Sequence, residues 1–228
     1  MPHVGGAQVR RSSLRQQIAD ALRDEVLTGR MQAGRHFTVK EIAETYGVSA
    51  TPVREALVDL AAQGLLEVEQ HRGFQVRRFT AGDFRSLIEA RVFIVEAAFR
   101  DMAEHGMGDL PADAIASVRR RAEAAARAAR AGVLDVLIGC DLRFWRELTA
   151  IGGNPHISEF LDRVRIQTWI YAVPHLRGLR DLAGVCWSGH VELVEAVADR
   201  DTEAARRLTL EYNAHLRALI DKLAPARS

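Results

Sequence analysis

Between Leu14 and Val76 the apolar residues change their spacing once, and that change limits the fold more than any other feature of the chain. Leu14, Ile18, Leu22 and Val26 recur every four residues with charges between them, which is the spacing of one helix face. Thr38-Val-Lys-Glu41 has capping-box spacing, a hydroxyl at the N-cap and a carboxylate three residues on. Ile42, Ala43 and Tyr46 give the short helix that follows an apolar side, and Gly47 breaks it. Ser49 is placed to cap a third helix whose buried face is Val53, Leu57 and Leu60. Pro52 falls in its first turn, where the missing N–H has no intrahelical partner to lose. After Gly64 the period becomes two. Leu66, Val68 and Gln70 alternate with Glu67 and Glu69, Gln70-His71-Arg72-Gly73 turns the chain, and Phe74-Gln75-Val76 alternates again. The result is a small hairpin with a basic tip, and helix, short helix, turn, helix, hairpin is the order of a winged helix-turn-helix.

From about residue 83 to residue 223 only helical periodicity remains, in six segments near 83–104, 111–131, 133–151, 155–173, 181–199 and 202–223. Short Gly/Pro breaks such as Gly152-Gly-Asn-Pro155 separate them, so neighbouring helices are expected to run antiparallel in a bundle. The expected fold is mainly α: residues 1–9 a flexible arm, 10–79 a winged helix-turn-helix with a β-hairpin, and 80–224 a helical bundle. Residues 1–80 carry 11 Lys/Arg against 9 Asp/Glu, and the whole chain has a net charge of +1. Affinity for DNA must therefore come from where charge sits rather than how much there is. Two cysteines, Cys140 and Cys186, make no disulfide framework and no CxxC pair. There is no apolar run long enough to span a bilayer and no basic-then-apolar leader, so a soluble, cytoplasmic protein is expected.

The segment Val48-Ser-Ala-Thr-Pro-Val-Arg-Glu-Ala-Leu57 resembles the recognition helix of the GntR family of transcription regulators. Leu27-Thr-Gly-Arg30 with Gly34 upstream, and Gln63-Gly-Leu-Leu66 with Arg72-Gly73 downstream, extend the resemblance in order from Leu27 to Gly73. A recognition helix buries one face and offers the start of the other to the major groove, which puts Thr51 and Arg54 outward. Arg54 can fork onto guanine O6 and N7. The resemblance adds Lys40 to the DNA-facing set. His71, Arg72 and Gly73 form the wing tip, where a basic side chain and a residue without one can approach the minor groove. Ala50 stands where family members usually carry Arg, so this chain lacks one donor for operator choice.

The helical half resembles the effector domain of the FadR-like branch of that family, the FCD domain. The matching pieces are Ile88-Glu-Ala-Arg91, Cys140-Asp-Leu-Arg-Phe-Trp145, Gly153-Asn-Pro155, Ser188-Gly-His190 and Asn213-Ala-His215. Many members of the branch hold a divalent metal through an Asp and a His four residues apart on one helix and one His on each of two later helices. Spacing of four puts two side chains on one helix face. Asp141, His190 and His215 fall on three of those positions, and Trp145, which cannot ligate a metal, falls on the fourth. Three alternatives stay open from the sequence. Asp141, His190 and His215 could be polar groups around an organic ligand. They could hold an ion whose shell water or a ligand carboxylate completes, with the Cys186 thiolate as a substitute ligand that favours zinc. Or the two histidines could be core residues with satisfied hydrogen bonds and Asp141 a residue of the helix surface. Arg91, among Leu87, Ile88, Val92 and Val95, faces the effector cavity by resemblance and could clamp a carboxylate bidentately. Arg165 and Arg143 are weaker candidates, and Trp145, Trp169, Tyr171 and Trp187 are aromatic residues able to line a cavity.

The resemblance implies a homodimer that reads a two-fold operator in double-stranded DNA, with repression relieved by a small organic acid bound in the helical domain. An effector-independent DNA-binding protein is the alternative that predicts a bundle interior closed by side chains such as Trp145. A metal-dependent enzyme built on Asp141, His190 and His215 is the other, and it leaves the winged motif unexplained.

Overall fold

The structure, a computed structural model, describes residues 13–151 and 154–224. The expected N-terminal arm, and the glycines of the break at 152–153, lie outside the described residues. The chain divides into two compact units, one of residues up to Val26 together with Arg30–Arg77, the other of Leu27–Gly29 and the chain from Arg78 onward.

The first unit contains α1 (Leu14–Leu27), β1 (His36–Phe37), α2 (Val39–Tyr46), α3 (Ala50–Ala62), β2 (Leu66–Glu69) and β3 (Gly73–Val76). The capping box at the head of α2 forms as its spacing predicts. Glu41 N donates to Thr38 Oγ1 at 3.2 Å, and Thr38 N donates to the Glu41 carboxylate at 2.6 Å. Gly47 ends α2 in the left-handed region at φ 64°, with its N–H on the carbonyls of Ala43 and Glu44. Ser49 holds the N-cap position of α3, but its side chain makes no capping hydrogen bond. Val53, Ala56, Leu57 and Leu60 are the buried face of α3.

The hairpin β2–β3 is in register Val68 to Phe74 and Glu69 to Gly73. A two-residue strand not foreseen from the sequence, β1, pairs antiparallel on the other side of β3, giving the order β1-β3-β2. Two residues carry no readable period, which is why β1 was invisible to pattern. Its pairing places Phe37 opposite Phe74, ring centroids 6.4 Å apart.

The second unit contains α4 (Ala81–His105), α5 (Ala112–Ala131), α6 (Leu134–Ile151), α7 (Pro155–Arg177), α8 (His190–Ala198) and α9 (Thr202–Leu223). Helix α5 packs on α6 and α8, α4 on α7 and α9, and α6 on α7. Two boundaries depart from expectation. Helix α7 runs through Pro174 to Arg177 instead of stopping at residue 173. The expected helix 181–199 is a helix only from His190; residues 178–189 are turns. Glycines explain the second difference. Gly184 has φ +69°, and a Cβ on Gly189 would sit 2.6 Å from the Trp187 ring. A continuous helix would have to give up the left-handed turn at Gly184.

Candidate DNA-binding face and effector site

In the first unit the predicted DNA-facing side chains are exposed: Lys40, Thr51, Arg54, His71 and Arg72 all lie at the surface. A surface groove of about 650 Å³ is lined by Thr38, Lys40, Ala50, Arg54 and Gly73. It brings together the head of α2, the start of α3 and the first residue of β3. Thr51, His71 and Arg72 are not part of its lining. Lys40 lies 3.8 Å from Glu44 in a fully solvated pair, so it is held weakly and is free to reach a phosphate. Gly73 has a second reason to be glycine. Its φ is +96°, and a Cβ there would come within 2.6 Å of the Phe37 carbonyl oxygen. The close approach of β3 to β1 therefore requires it, whatever it does at a groove.

In the second unit Trp145, Trp169 and His190, of the other predicted residues, converge on Asp141, which is 1% exposed. Its carboxylate accepts hydrogen bonds at both oxygens. His190 Nε2 and Trp145 Nε1 donate to Oδ1 at 3.1 and 3.2 Å. Trp169 Nε1 and Tyr212 Oη donate to Oδ2, each at 2.9 Å. Burial by itself would raise the Asp141 pKa; the hydrogen bonds and charge of His190, with those of Trp169 and Tyr212, hold it below the ordinary carboxylate range. An ionised carboxylate only accepts, so His190 carries its hydrogen on Nε2. His190 Nδ1 is buried with no partner. The same burial, with Asp141 beside it, pushes the Tyr212 phenol well above its usual range.

Aromatic rings close the space around this hub. Trp145 and Tyr212 lie 4.9 Å apart, Trp187 and His190 4.8 Å, and Phe144 and His190 5.0 Å, centroid to centroid. What remains is a cavity of about 20 Å³, lined by Asp141, Trp169, Cys186, Trp187, Tyr212 and His215 among others, with room for about one water. Burial pushes the Cys186 thiol up to about 11. His215 is half-buried, and its Nε2 meets the Val185 carbonyl at 2.8 Å, where it must donate.

Two guanidiniums are buried in the same unit, Arg91 at 1% and Arg165 at 2% exposed. Arg91 Nε donates to Asn213 Oδ1 at 2.5 Å and its Nη1 lies 3.5 Å from Thr168 Oγ1, but Nη2 has no partner. Arg165 lies over the Trp145 ring, 4.3 Å from its centroid, and its Nε and Nη1 have no partner. Burial, then the like charge of Arg91, lowers Arg165 to about 10, and burial lowers Arg91 as well. Arg143 sits apart and exposed, with Nη2 3.7 Å from Cys140 Sγ, and Tyr171 stacks on Phe84 at 5.0 Å, away from Asp141. Sequence reasoning missed Tyr212, Thr168 and Asn213 as members of this cluster. The signal available was Tyr212-Asn213 on one helix with His215, three hydrogen-bonding side chains within four residues.

Comparison with known proteins bears directly on both units. Residues 14–76 match the profile described as "Bacterial regulatory proteins, gntR family", and residues 86–218 match the FCD domain. The chain belongs to the GntR family. Its FCD domain puts it in the FadR-like branch, whose members are transcription regulators and not enzymes. This GntR regulator is 30% identical over 233 residues to an HTH-type transcriptional regulator of Streptomyces ambofaciens, covering 97% of this chain and 90% of that one. It is 24% identical to the Escherichia coli HTH-type transcriptional repressor RspR, over 86% of this chain and 84% of that one. Among solved structures, E. coli McbR/YncC superposes with a TM-score of 0.73 at 22% identity, covering 93% of this chain and 98% of that one. At that identity the likeness concerns the fold alone. Among the described residues no helix is long and apolar enough to cross a membrane.

The metal implied by the FCD resemblance does not fit the residues of this GntR regulator. Asp141, His190 and His215 were candidate ligands. Asp141 is saturated by four donors, His190 turns its Nε2–H onto Asp141, and His215 is engaged with the Val185 carbonyl. Among the described residues no three His, Cys, Asp or Glu side chains are grouped to hold an ion. Cys186 completes no such group among the described residues.

Proposed function

We infer that this regulator is a repressor that binds a two-fold operator as a homodimer and releases it when a small organic acid binds among Arg91, Arg165 and Asp141. The observation that carries the reading is a charge imbalance. Arg91 and Arg165 are two buried cations, Asp141 is the one buried carboxylate among the described residues, and its four hydrogen bonds all go to other groups. Three guanidinium nitrogens are left without an acceptor. Buried unpaired donors of a charged group are costly, and a carboxylate is the ligand that would satisfy them bidentately.

The present cavity admits about one water, so an acid must displace packed side chains to reach the guanidiniums. That requirement is what makes such a ligand an effector: it binds the opened arrangement better than the closed one, and only differential affinity shifts an equilibrium. On the DNA side, Arg54 reads base edges, Lys40 and Thr51 position the helix, and His71 and Arg72 at the wing approach the minor groove. Repression is supported by two relatives, the E. coli transcriptional repressor RspR and a probable D-xylose utilization operon transcriptional repressor of Paenarthrobacter nicotinovorans, 41% identical over 80 residues.

The filled interior favours a second reading, a regulator with no effector. Thermal unfolding in the presence of a panel of short mono- and dicarboxylic acids separates the two. Stabilisation by an acid that also releases an operator selected from random duplexes supports the effector reading. No stabilisation by any acid in the panel, with operator binding intact, supports the second.

A further inference from the structure

The carboxylate at the centre of the helical unit is engaged on both oxygens as a hydrogen-bond acceptor. Each Asp141 oxygen accepts two hydrogen bonds, from His190 and Trp145 at Oδ1 and from Trp169 and Tyr212 at Oδ2. Two acceptor sites per carboxylate oxygen is the full capacity of the group. An indole N–H is a donor with no lone pair to offer, so Trp145, one turn along α6 from Asp141, points a partial positive charge at the space a cation would need. Trp169 does the same from α7. His190 spends its nearer nitrogen as a donor, and the Arg165 guanidinium on the outer face of the Trp145 ring adds a full positive charge nearby. An incoming divalent ion would have to break these bonds and enter a site already carrying two buried guanidiniums.

We propose that this FCD domain is a metal-free one, and that Trp145 is the residue that excludes the ion by donating to Asp141 from the position where a ligand would stand. A ring of indole, phenol and imidazole donors now orients Asp141, the task an ion performs where one is bound. The proposal is independent of whether an organic acid is the effector, since metal content and acid binding are separate measurements.

The test uses the full chain, purified without a tag and dialysed in turn against Mn²⁺, Ni²⁺ and Zn²⁺, with bound metal measured by elemental analysis and thermal unfolding recorded with and without EDTA. The expected result is no stoichiometric metal from any of the three and the same unfolding midpoint with and without chelator. One equivalent of metal per chain, removed by EDTA with a fall in midpoint, overturns the proposal. Two variants assign the effect to Trp145. Trp145→His, which restores a ligand one turn from Asp141, is expected to take up stoichiometric metal and to become chelator-sensitive. Trp145→Phe, which removes the donor and adds no ligand, is expected to take up more metal than the parent and to hold it less tightly than Trp145→His does. A folded Trp145→His protein that takes up no metal overturns the assignment to Trp145, and a folded Trp145→Phe protein as metal-free as the parent shows that indole donation is not what excludes the ion. Wild-type metal content decides the first part of the proposal even if a variant fails to fold.

Discussion

Replacing Arg165 by methionine should leave the ligand-free protein as stable as the parent or slightly more so, against the usual outcome for a fully buried residue. The guanidinium is 2% exposed, and two of its nitrogens have no hydrogen-bond partner. Burial, then Arg91, lowers it to about 10, and at ~1.4 kcal/mol per pH unit the depression represents about 3 kcal/mol acting against the charged form. The contact with the Trp145 face, 4.3 Å from the ring centroid, returns up to ~2 kcal/mol when desolvated. The net cost of keeping Arg165 is then about 1 kcal/mol.

The sign follows from linkage. The folded state binds this proton less tightly than the unfolded chain, so the penalty is present at every pH below about 10 and is relieved only as pH rises past it. At neutral pH it is present in full. Methionine has comparable length, keeps the contact with the indole and carries no charge to bury. The expected change in unfolding midpoint is a rise of a few degrees at most, roughly 2–4 °C per kcal/mol for a unit of this size. Denaturant or thermal unfolding at pH 7, followed by circular dichroism, reads it. The same variant should lose stabilisation by any acid that stabilises the parent. A loss of ~2 kcal/mol or more in the ligand-free variant would refute the reasoning, because it would mean that Arg165 is structurally satisfied and not held in reserve for an anion.

Arg54→Ala should weaken specific operator binding by ~1–3 kcal/mol without changing the fold, measured by gel shift or fluorescence anisotropy at fixed salt; unchanged affinity would remove α3 as the reading helix. Gly73→Ala should destabilise the first unit by ~2 kcal/mol or more, because the added Cβ meets the Phe37 carbonyl oxygen at 2.6 Å from a residue at φ +96°; a neutral effect on its thermal unfolding would contradict that packing. Asp141→Asn should cost ~3–5 kcal/mol by leaving four donors around a neutral amide. Because the folded-state pKa of Asp141 is lowered, its contribution is complete above the unfolded-state value near ~3.9 and disappears as pH falls through the lower folded value. The acid limb of the stability profile should accordingly be shallower in Asp141→Asn than in the parent.

The elements legible in the sequence were those whose cause is local. The capping box at Thr38 and Glu41, the stop at Gly47 and the buried face Val53, Leu57 and Leu60 each depend on residues within a few positions of one another, and each is in the structure. Strand β1 was not legible because its existence depends on β3, reached nearly forty residues later in a pairing of His36 with Gln75. The break before α8 was misread because Leu182 and Val185 keep a helical spacing, while the backbone obeys Gly184 and the Trp187 ring beneath Gly189. Helix α7 departs in the opposite direction: it continues through Pro174 to Arg177, although the proline gives up the bond to the carbonyl four residues before it.

The candidate effector site divides along the same line. The resemblance supplies the positions Arg91, Asp141, Trp145, His190 and His215, and spacing and residue type add Cys186 and Arg165; of these, Asp141, Trp145 and His190 do meet. What could not be inherited was which atom faces which. A His at a ligand position reads identically in sequence whether its nitrogen offers a lone pair or a hydrogen, and only the bond from His190 Nε2 to Asp141 Oδ1 decides. Trp145 was visible as a departure, but its consequence was not: one indole N–H fills an acceptor site on Asp141, its ring seats Arg165, and both effects move the site away from a cation and toward an anion. If the site takes a ligand, the positive charge that receives it is therefore covalently part of the protein, and chelation should not switch it off.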